Sequence, residues 1–348
     1  MKVHIVTGGC GFVGRNMVNR LLQISSNYII VVDDLSSGTP PDAWLNVSPS
    51  FEDKNIKIYQ NRVIFIKDDV RSFFKNYSDY LQILEKSIGS KLALRDVFHF
   101  AAVVGGRIKI ENDPLAVAID LSIDAEFFHW VSKVRPERVL YPSSSAAYPI
   151  SLQARDNHKP LEETDIDFNI IKNPDMTYGW AKLTGEYLAR ITAQKYDIRV
   201  TCIRPFSGYG EDQDLSYPIP AITRRIALKQ DPLEVWGDGT QCRDFIHIDD
   251  VIDGTLKAMD HIHDGSAVNI GSGVKTSFLE VIKLLSEIAD YDPKIRLLLD
   301  KPVGVHSRYG SIDLARKKLN WSPSVSLKKG LQKVFNSVTN NLTLQNNV

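Results

Sequence analysis

The 348-residue chain carries 42 lysines and arginines against 42 aspartates and glutamates, so no bulk field draws it to nucleic acid or an anionic membrane. Hydrophobic residues make up 43% and charged residues 24%, ordinary proportions for a globular protein with ample core, and no apolar run approaches the ~18–20 residues that span a bilayer. Three widely spaced cysteines, Cys10, Cys202 and Cys242, form neither a metal-binding pair nor a disulfide framework and predict a reducing, cytoplasmic setting.

Residues 3–7 form a short apolar strand that runs into Gly8, Gly11 and Gly14; a strand so near the first residue leaves no leader segment to expect. Residues 16–24 then carry Val18, Leu21 and Leu22 at helical spacing. Residues 28–32 are a continuous apolar run ending in Asp33 and Asp34, and 62–66 repeat that shape before Asp68 and Asp69. Residues 96–100 end in Ala101 and Ala102, and 138–141 end in Pro142 and three serines. Helical stretches cover 114–134 and 177–196, with a strand at 199–203. This alternation predicts an α/β protein with a doubly wound parallel sheet, both faces covered. Residues 40–61 are polar, proline-bearing and aperiodic, and are expected to make a surface excursion with little helix or strand. Beyond Tyr209 the pattern loosens into short elements (212–220, 219–229, 233–236, 268–270), which predicts a smaller, interleaved lobe. On this reading residues 1–205 mainly bind a dinucleotide and 206–338 mainly bind substrate, with some segments returning to the first unit. The Asn-rich stretch 339–348 is a frayed tail.

Gly8, Gly11 and Gly14 lie between a strand and a helix, where glycine permits a tight turn and close approach of backbone N–H groups to a pyrophosphate. Phe12 and Val13 open the helix whose N-terminus would face that anion. A glycine triplet alone is weak evidence. The first βα turn and Asp33, about 20 residues on, make it a Rossmann-type fingerprint. A carboxylate at Asp33 can bind the adenosine ribose hydroxyls and would repel a 2′-phosphate, which points to NAD rather than NADP. Asp69, with Val70 beside it, is a candidate for the adenine edge; the alternative is a helix N-cap, which falls as readily on Asp68 as on Asp69. Ala101 and Ala102 would let the dinucleotide lie close to the backbone.

Tyr178-x-x-x-Lys182 places a phenol and an ammonium on one helix face. Ser143, Ser144 and Ser145 stand at a strand end, where open α/β sheets bind ligands. Together they suit hydride chemistry on an alcohol: a tyrosinate takes the hydroxyl proton, the lysine charge favours that tyrosinate, and a serine bonds the substrate oxygen. The eight histidines are scattered and indicate no metal site.

Over nearly its full length the chain resembles the extended short-chain dehydrogenase/reductases, the nucleotide-sugar epimerase/dehydratase family. The glycine loop, Val32-Asp33-Asp34-Leu35, His99-Phe100-Ala101-Ala102, the serine strand, Tyr178 and Lys182 carry the likeness. So do Arg204-Pro205-Phe206-Ser207-Gly208-Tyr209-Gly210, residues 236–251 and Asn269-Ile270-Gly271-Ser272-Gly273. The resemblance implies that Tyr178 is the base, Lys182 its partner and Ser144, four residues before Tyr148, the hydroxyl donor. It implies that Tyr178 and Lys182 also touch the cofactor and that Arg243 and Arg308 grip a substrate diphosphate. Gly106, Arg107, Ser145 and Ser207 are expected to line the substrate pocket, and a homodimer is typical of the family.

Departures from the family pattern prune the reactions. The 4,6-dehydratases follow the catalytic hydroxyl with an Asp-Glu pair; here Ser145 and Ala146 stand in those places. The loop from Val103 to Arg107 is similar to GDP-mannose 3,5-epimerases and GDP-fucose synthases, but their cysteine acid/base is Ala146 here. Ser207 replaces the usual asparagine, and the usual Asn-x-x-Gly helix reads Asp120-Leu121-Ser122-Ile123. What remains is oxidation at the sugar C4: a 4-epimerase acting on a GDP- or UDP-linked sugar, or a 4-dehydrogenase releasing the 4-keto sugar. Two other classes stand beside these, a non-catalytic NAD-binding sensor and an NAD-dependent dehydrogenase of small alcohols.

Overall fold

The structure is a computed structural model and describes residues 1–60, 62–103, 107–156 and 159–346. β1 (Lys2–Thr7), α1 (Phe12–Ile24) and β2 (Tyr28–Asp33) form the first βαβ unit. A hairpin of β3 (Pro49–Asp53) and β4 (Ile56–Tyr59) precedes β5 (Val63–Lys67). Helices α2 (Val70–Lys75) and α3 (Tyr77–Ile88) lead back to β6 (Ala93–His99). Next come α4 (Arg107–Asn112), α5 (Pro114–Val117) and α6 (Ile119–Val134), broken where Pro114 opens α5 and the Asp113 side chain caps it. β7 (Arg138–Pro142), α7 (Met176–Tyr196) and β8 (Val200–Pro205) complete the second half.

The remainder is woven into this frame. β9 (Ser207–Tyr209), α8 (Pro218–Ala227), β10 (Leu233–Trp236), β11 (Cys242–Arg243) and β12 (Phe245–His247) are followed by α9 (Ile248–His261) and β13 (Asp264–Ile270). β14 (Thr276–Ser277), α10 (Phe278–Ala289), β15 (Ile295–Leu298), β16 (Ser307–Arg308), α11 (Asp313–Leu319) and α12 (Leu327–Asn346) end the described chain.

Among the described residues, nine strands form the main sheet in the order β13-β8-β7-β6-β1-β2-β5-β4-β3. From β13 to β5 every pairing is parallel, while β4 and β3 add an antiparallel edge. This is a Rossmann-type doubly wound sheet. Chain order reverses at β1, so the crevice beyond the carboxyl ends of β1 and β6 is its topological switch point. The central strands are buried on both faces, which explains their unbroken apolar runs. One face packs Phe73, Phe127, Trp130 and Tyr141; the other packs Met17, Leu21, Ile248 and Trp321. A third core joins α8, α10 and α12 through Ile222, Leu285 and Leu331. No described helix is long and apolar enough to cross a membrane.

Two expectations are corrected. The stretch 40–61 is not mainly irregular: β3 and β4 extend the sheet, and Ile56 and Tyr59 bury inward. Two buried side chains, three positions apart in a polar segment, are too few to show a period. The tail is not frayed over its described part, because α12 runs on to Asn346 and packs Val338 and Leu342 onto the third core.

Asp96, midway along β6, and its register partner Arg138, at the amino end of β7, meet in a forked ion pair, Nε to Oδ1 2.7 Å and Nη2 to Oδ2 2.9 Å. Asp96 is only 1% exposed. Burial pushes its pKa up, but His4 and Arg138 outweigh that and lower it to about 2. A depressed carboxylate stabilises the fold above its ordinary unfolded value and loses that contribution as pH falls through its folded value. Asp96→Asn should therefore cost about 2–3 kcal/mol at neutral pH, the linkage value of a carboxyl lowered this far, while Arg138 keeps its second partner Asp260 at 2.8 Å. In urea denaturation the gap to wild type should close as the pH drops toward 2.

Candidate active site

The glycine loop leaves β1 beside the exit of β6. Gly8 has a φ of +63°, and a Cβ there would sit 2.6 Å from the Ala101 amide nitrogen. A Cβ on Gly14, in the first turn of α1, would sit 2.2 Å from the Gly8 carbonyl oxygen. The loop therefore closes against both α1 and the Ala101-Ala102 step only with glycine in place. Gly11 is the N-cap of α1 and offers no side chain, so first-turn amides are left for an anion. Phe12 and Val13 are the first residues of that turn.

Asp33 closes the crevice from the end of β2. Its Oδ2 accepts from the Cys10 amide and its Oδ1 from the Leu35 amide, both at 2.9 Å. Burial pushes its pKa upward, against these two backbone bonds. Two lone-pair positions remain for ribose hydroxyls. The cradle of glycines and this carboxylate fit an adenine dinucleotide without a 2′-phosphate. Asp69 caps α2 through the Arg71 amide at 2.8 Å and takes the Arg71 guanidinium on both oxygens, 3.0 and 2.6 Å, which holds its carboxyl below the usual range. Val70 packs into the core beneath it.

At the end of β7 the three serines separate. Ser143 is buried and donates to Glu186, and Ser145 is buried in the following turn. Ser144 is partly open, and its Oγ accepts from the Ala146 amide at 3.1 Å, leaving its proton for a substrate oxygen. Gly179 brings α7 onto this turn: a Cβ there would lie 2.4 Å from the Ala146 carbonyl oxygen. Tyr178, next to that glycine, is partly open, while Lys182 is 4% exposed with Nζ 5.8 Å from the Tyr178 ring centre. Burial works against the Lys182 charge, but Asp124, Tyr178 and Asp120 outweigh it and the pKa is raised. Lys182 is thus an ammonium beside the phenol.

The two expected phosphate-gripping arginines are brought together. β11 and β16 pair in parallel with Arg243 opposite Arg308. Arg243 reaches the Cys242 carbonyl at 2.8 Å and that of Val303 at 3.1 Å. Arg308 donates to Gln153 Oε1 at 2.5 Å and to Asp175 Oδ2 at 2.6 Å. Asp175 is the N-cap residue of α7, so this contact ties the arginine pair to the helix of Tyr178. Ser207, partly open at the start of β9, is anchored by its amide on the Asp244 carbonyl at 2.9 Å. Gly106 lies outside the described residues, and so does the Arg107 side chain.

Sequence reasoning missed the floor of the site. Arg204 and Glu186, both buried, form a two-point pair (2.9 and 2.8 Å). Arg204 also donates to the Tyr148 hydroxyl at 3.0 Å, which donates to Asn269 Oδ1 at 2.7 Å. The one available signal was Glu186 itself, four residues after Lys182 on the same helix face. Asp244 was missed too: it is fully buried and gathers the Ser272, Gly273 and Gly310 amides.

Asp33→Asn should weaken NAD by about 10- to 100-fold, the loss of a charge-assisted hydrogen bond, and should narrow the preference over NADP. Calorimetric titration with both dinucleotides checks this; an unchanged ratio would count against the carboxylate as the selecting group.

Comparison with known proteins places the chain in a family. The family model described as NAD dependent epimerase/dehydratase matches residues 4–271. An uncharacterized UDP-glucose epimerase of Bacillus subtilis is 30% identical, covering 95% of this chain and 96% of its own. A putative UDP-glucose 4-epimerase of Methanocaldococcus jannaschii is 27% identical, covering 97% and 98%. The solved UDP-glucose 4-epimerase of Thermotoga maritima, with UDP-glucose, superposes with a TM-score of 0.78 at 25% identity, covering 99% of this chain and all of that one. The chain belongs to the NAD-dependent epimerase/dehydratase family.

Proposed function

We propose that the chain is a UDP-sugar 4-epimerase working through a 4-keto intermediate. The observation that carries this reading is α7 docked on the serine turn, with Tyr178, buried Lys182 and the Ser144 hydroxyl beside the switch-point crevice. Gly8, Gly11, Phe12, Val13, Gly14, Asp33, Asp69, Val70, Ala101 and Ala102 would hold NAD, which when bound supplies the hydride acceptor and donor. Ser144 donates to the C4 oxygen, Tyr178 removes that hydroxyl proton, and the Lys182 charge supports the phenolate. In the return half-reaction Tyr178 gives the proton back to the oxygen of the rotated sugar. Arg243 and Arg308 hold the diphosphate as the ring turns, with Ser145 and Ser207 against the sugar. No carboxylate follows Ser144, and buried Ala146 cannot exchange a carbon-bound proton, so elimination and 3,5-epimerisation have no acid or base there.

UDP is favoured over GDP by the names of the two relatives and of the solved enzyme. Residues 1–205 mainly serve the cofactor and 206–338 mainly the substrate, although β13 returns to the main sheet. The three free cysteines accord with a cytoplasmic setting. Exposed Ile119 and Leu121 on α6 and Trp180 and Tyr187 on α7 suit a homodimer through these helices.

The test is incubation with UDP-, dTDP- and GDP-sugars plus NAD, with products identified by NMR. A C4 epimer without accumulated NADH is expected from a UDP-sugar. A 4-keto product with stoichiometric NADH would instead make the protein a 4-dehydrogenase, and turnover of GDP-sugars alone would move the nucleotide assignment. Tyr178→Phe should lower turnover by about 10²- to 10⁴-fold while NAD remains bound.

A further inference from the structure

Behind Lys182 lies a buried polar chain that the reaction as described does not use. Asp124 on α6 is 1% exposed, and its Oδ2 accepts from the Tyr141 hydroxyl at 2.6 Å. Its Oδ1 faces His99 Nε2 at 3.4 Å. The imidazole is fixed by parallel stacking on Phe127 at 3.8 Å, and its Nδ1 lies 2.8 Å from Thr7 Oγ1. A carboxylate facing Nε2 favours the imidazole proton there, which leaves Nδ1 to accept from the Thr7 hydroxyl, whose oxygen also accepts from the Ala101 amide at 3.3 Å. The Tyr141 ring in turn lies 5.4 Å from Lys182 Nζ. One helical turn before Asp124, fully buried Asp120 accepts from the Val103 amide at 2.5 Å.

A carboxylate this deep is costly unless an opposite charge compensates it. The titratable groups facing this core are Asp120 on α6, His99 on β6, Tyr141 on β7, Cys202 on β8, and Lys182 and Glu186 on α7. Glu186 is neutralised by Arg204. Burial drives His99 toward its neutral form. Among the described residues, that leaves Lys182 as the cation set against Asp124.

We propose that Asp124 is a positioning residue for proton transfer at Tyr178: its carboxylate, held by Tyr141 and facing His99, is the buried counter-charge that keeps Lys182 an ammonium and sets the pH range in which Tyr178 works. The inference rests on the reading of Tyr178 and Lys182 as the base and its partner. It follows from the spatial order β1–β6–α6–β7–α7, which runs from the cofactor loop to the catalytic helix. Removing the Asp124 charge has two consequences of the same sign. Lys182 gives up its proton at lower pH, and the less negative surroundings let tyrosinate form at lower pH.

The experiment compares wild type, Asp124→Asn and Asp124→Glu, each loaded with NAD. The first readout is ultraviolet titration of tyrosinate, taken as a difference from the same protein carrying Tyr178→Phe; it needs no sugar substrate. The second is the pH profile of kcat/KM. Asp124→Asn should move the tyrosinate midpoint and both limbs of the profile down by about one pH unit. Asp124→Glu keeps the charge and should leave the midpoint in place even if kcat falls. Should the Asn variant fail to fold, Asp124→Ser serves as the neutral variant with the same expectation. An unmoved midpoint in the neutral variant, or an equal shift in the Glu variant, overturns the proposal. Full turnover by Tyr178→Phe would overturn the underlying reading of the base instead, so the two failures are distinguishable.

Discussion

Everything at the catalytic end hangs on where α7 is held, and the buried pair of Glu186 and Arg204 holds it. Two parallel N–H···O bonds join the helix to β8 at a place water does not reach. A buried pair of this kind adds little net stability over an apolar filling, but it admits one helix position, because any slide strands a charge. Tyr148 and Asn269 extend the constraint to the serine turn and β13. The helix arrives already indexed. Gly179 can then press against Ala146, and Tyr178 and Lys182 fall beside Ser144 without further adjustment.

The same logic separates the two ends of the crevice. At the proposed cofactor end the candidate groups are mainly backbone amides, in a loop whose shape Asp33 fixes from β2. At the proposed substrate end the candidate groups are side chains on two-residue strands, Arg243 on β11 and Arg308 on β16. Arg308 bridges the two regimes through Asp175 at the head of α7. The arginine pair and the proposed proton-transfer groups are thereby held in one frame, referenced to α7.

What the sequence disclosed, and what it withheld, divides by distance along the chain. The glycine loop, Asp33, the serine turn and the Tyr178-Lys182 pair are local patterns whose spacing is dictated by one strand, one turn or one helix face, and they could be read directly. The sheet itself was legible because its strands are buried on both faces and therefore unbroken apolar runs. Contacts such as Tyr148 to Asn269, 121 residues apart, or Arg308 to Asp175, 133 apart, leave no local trace. Nothing local marks Asp124 on its helix; the packing of Tyr141 and His99 around it shows that it faces inward. The β3–β4 edge and the last turns of α12 were misread for a related reason. Their burial comes from neighbours supplied by distant segments, and their own composition is polar.

The central claim is that one site takes hydride from C4 and returns it to the same carbon on the opposite face. The most direct measurement is to supply a UDP-sugar bearing deuterium at C4, in ordinary water, and follow the label by NMR. The product epimer should keep the deuterium at C4. Loss of label to solvent, or its accumulation on released reduced nicotinamide beside a 4-keto sugar, would contradict it.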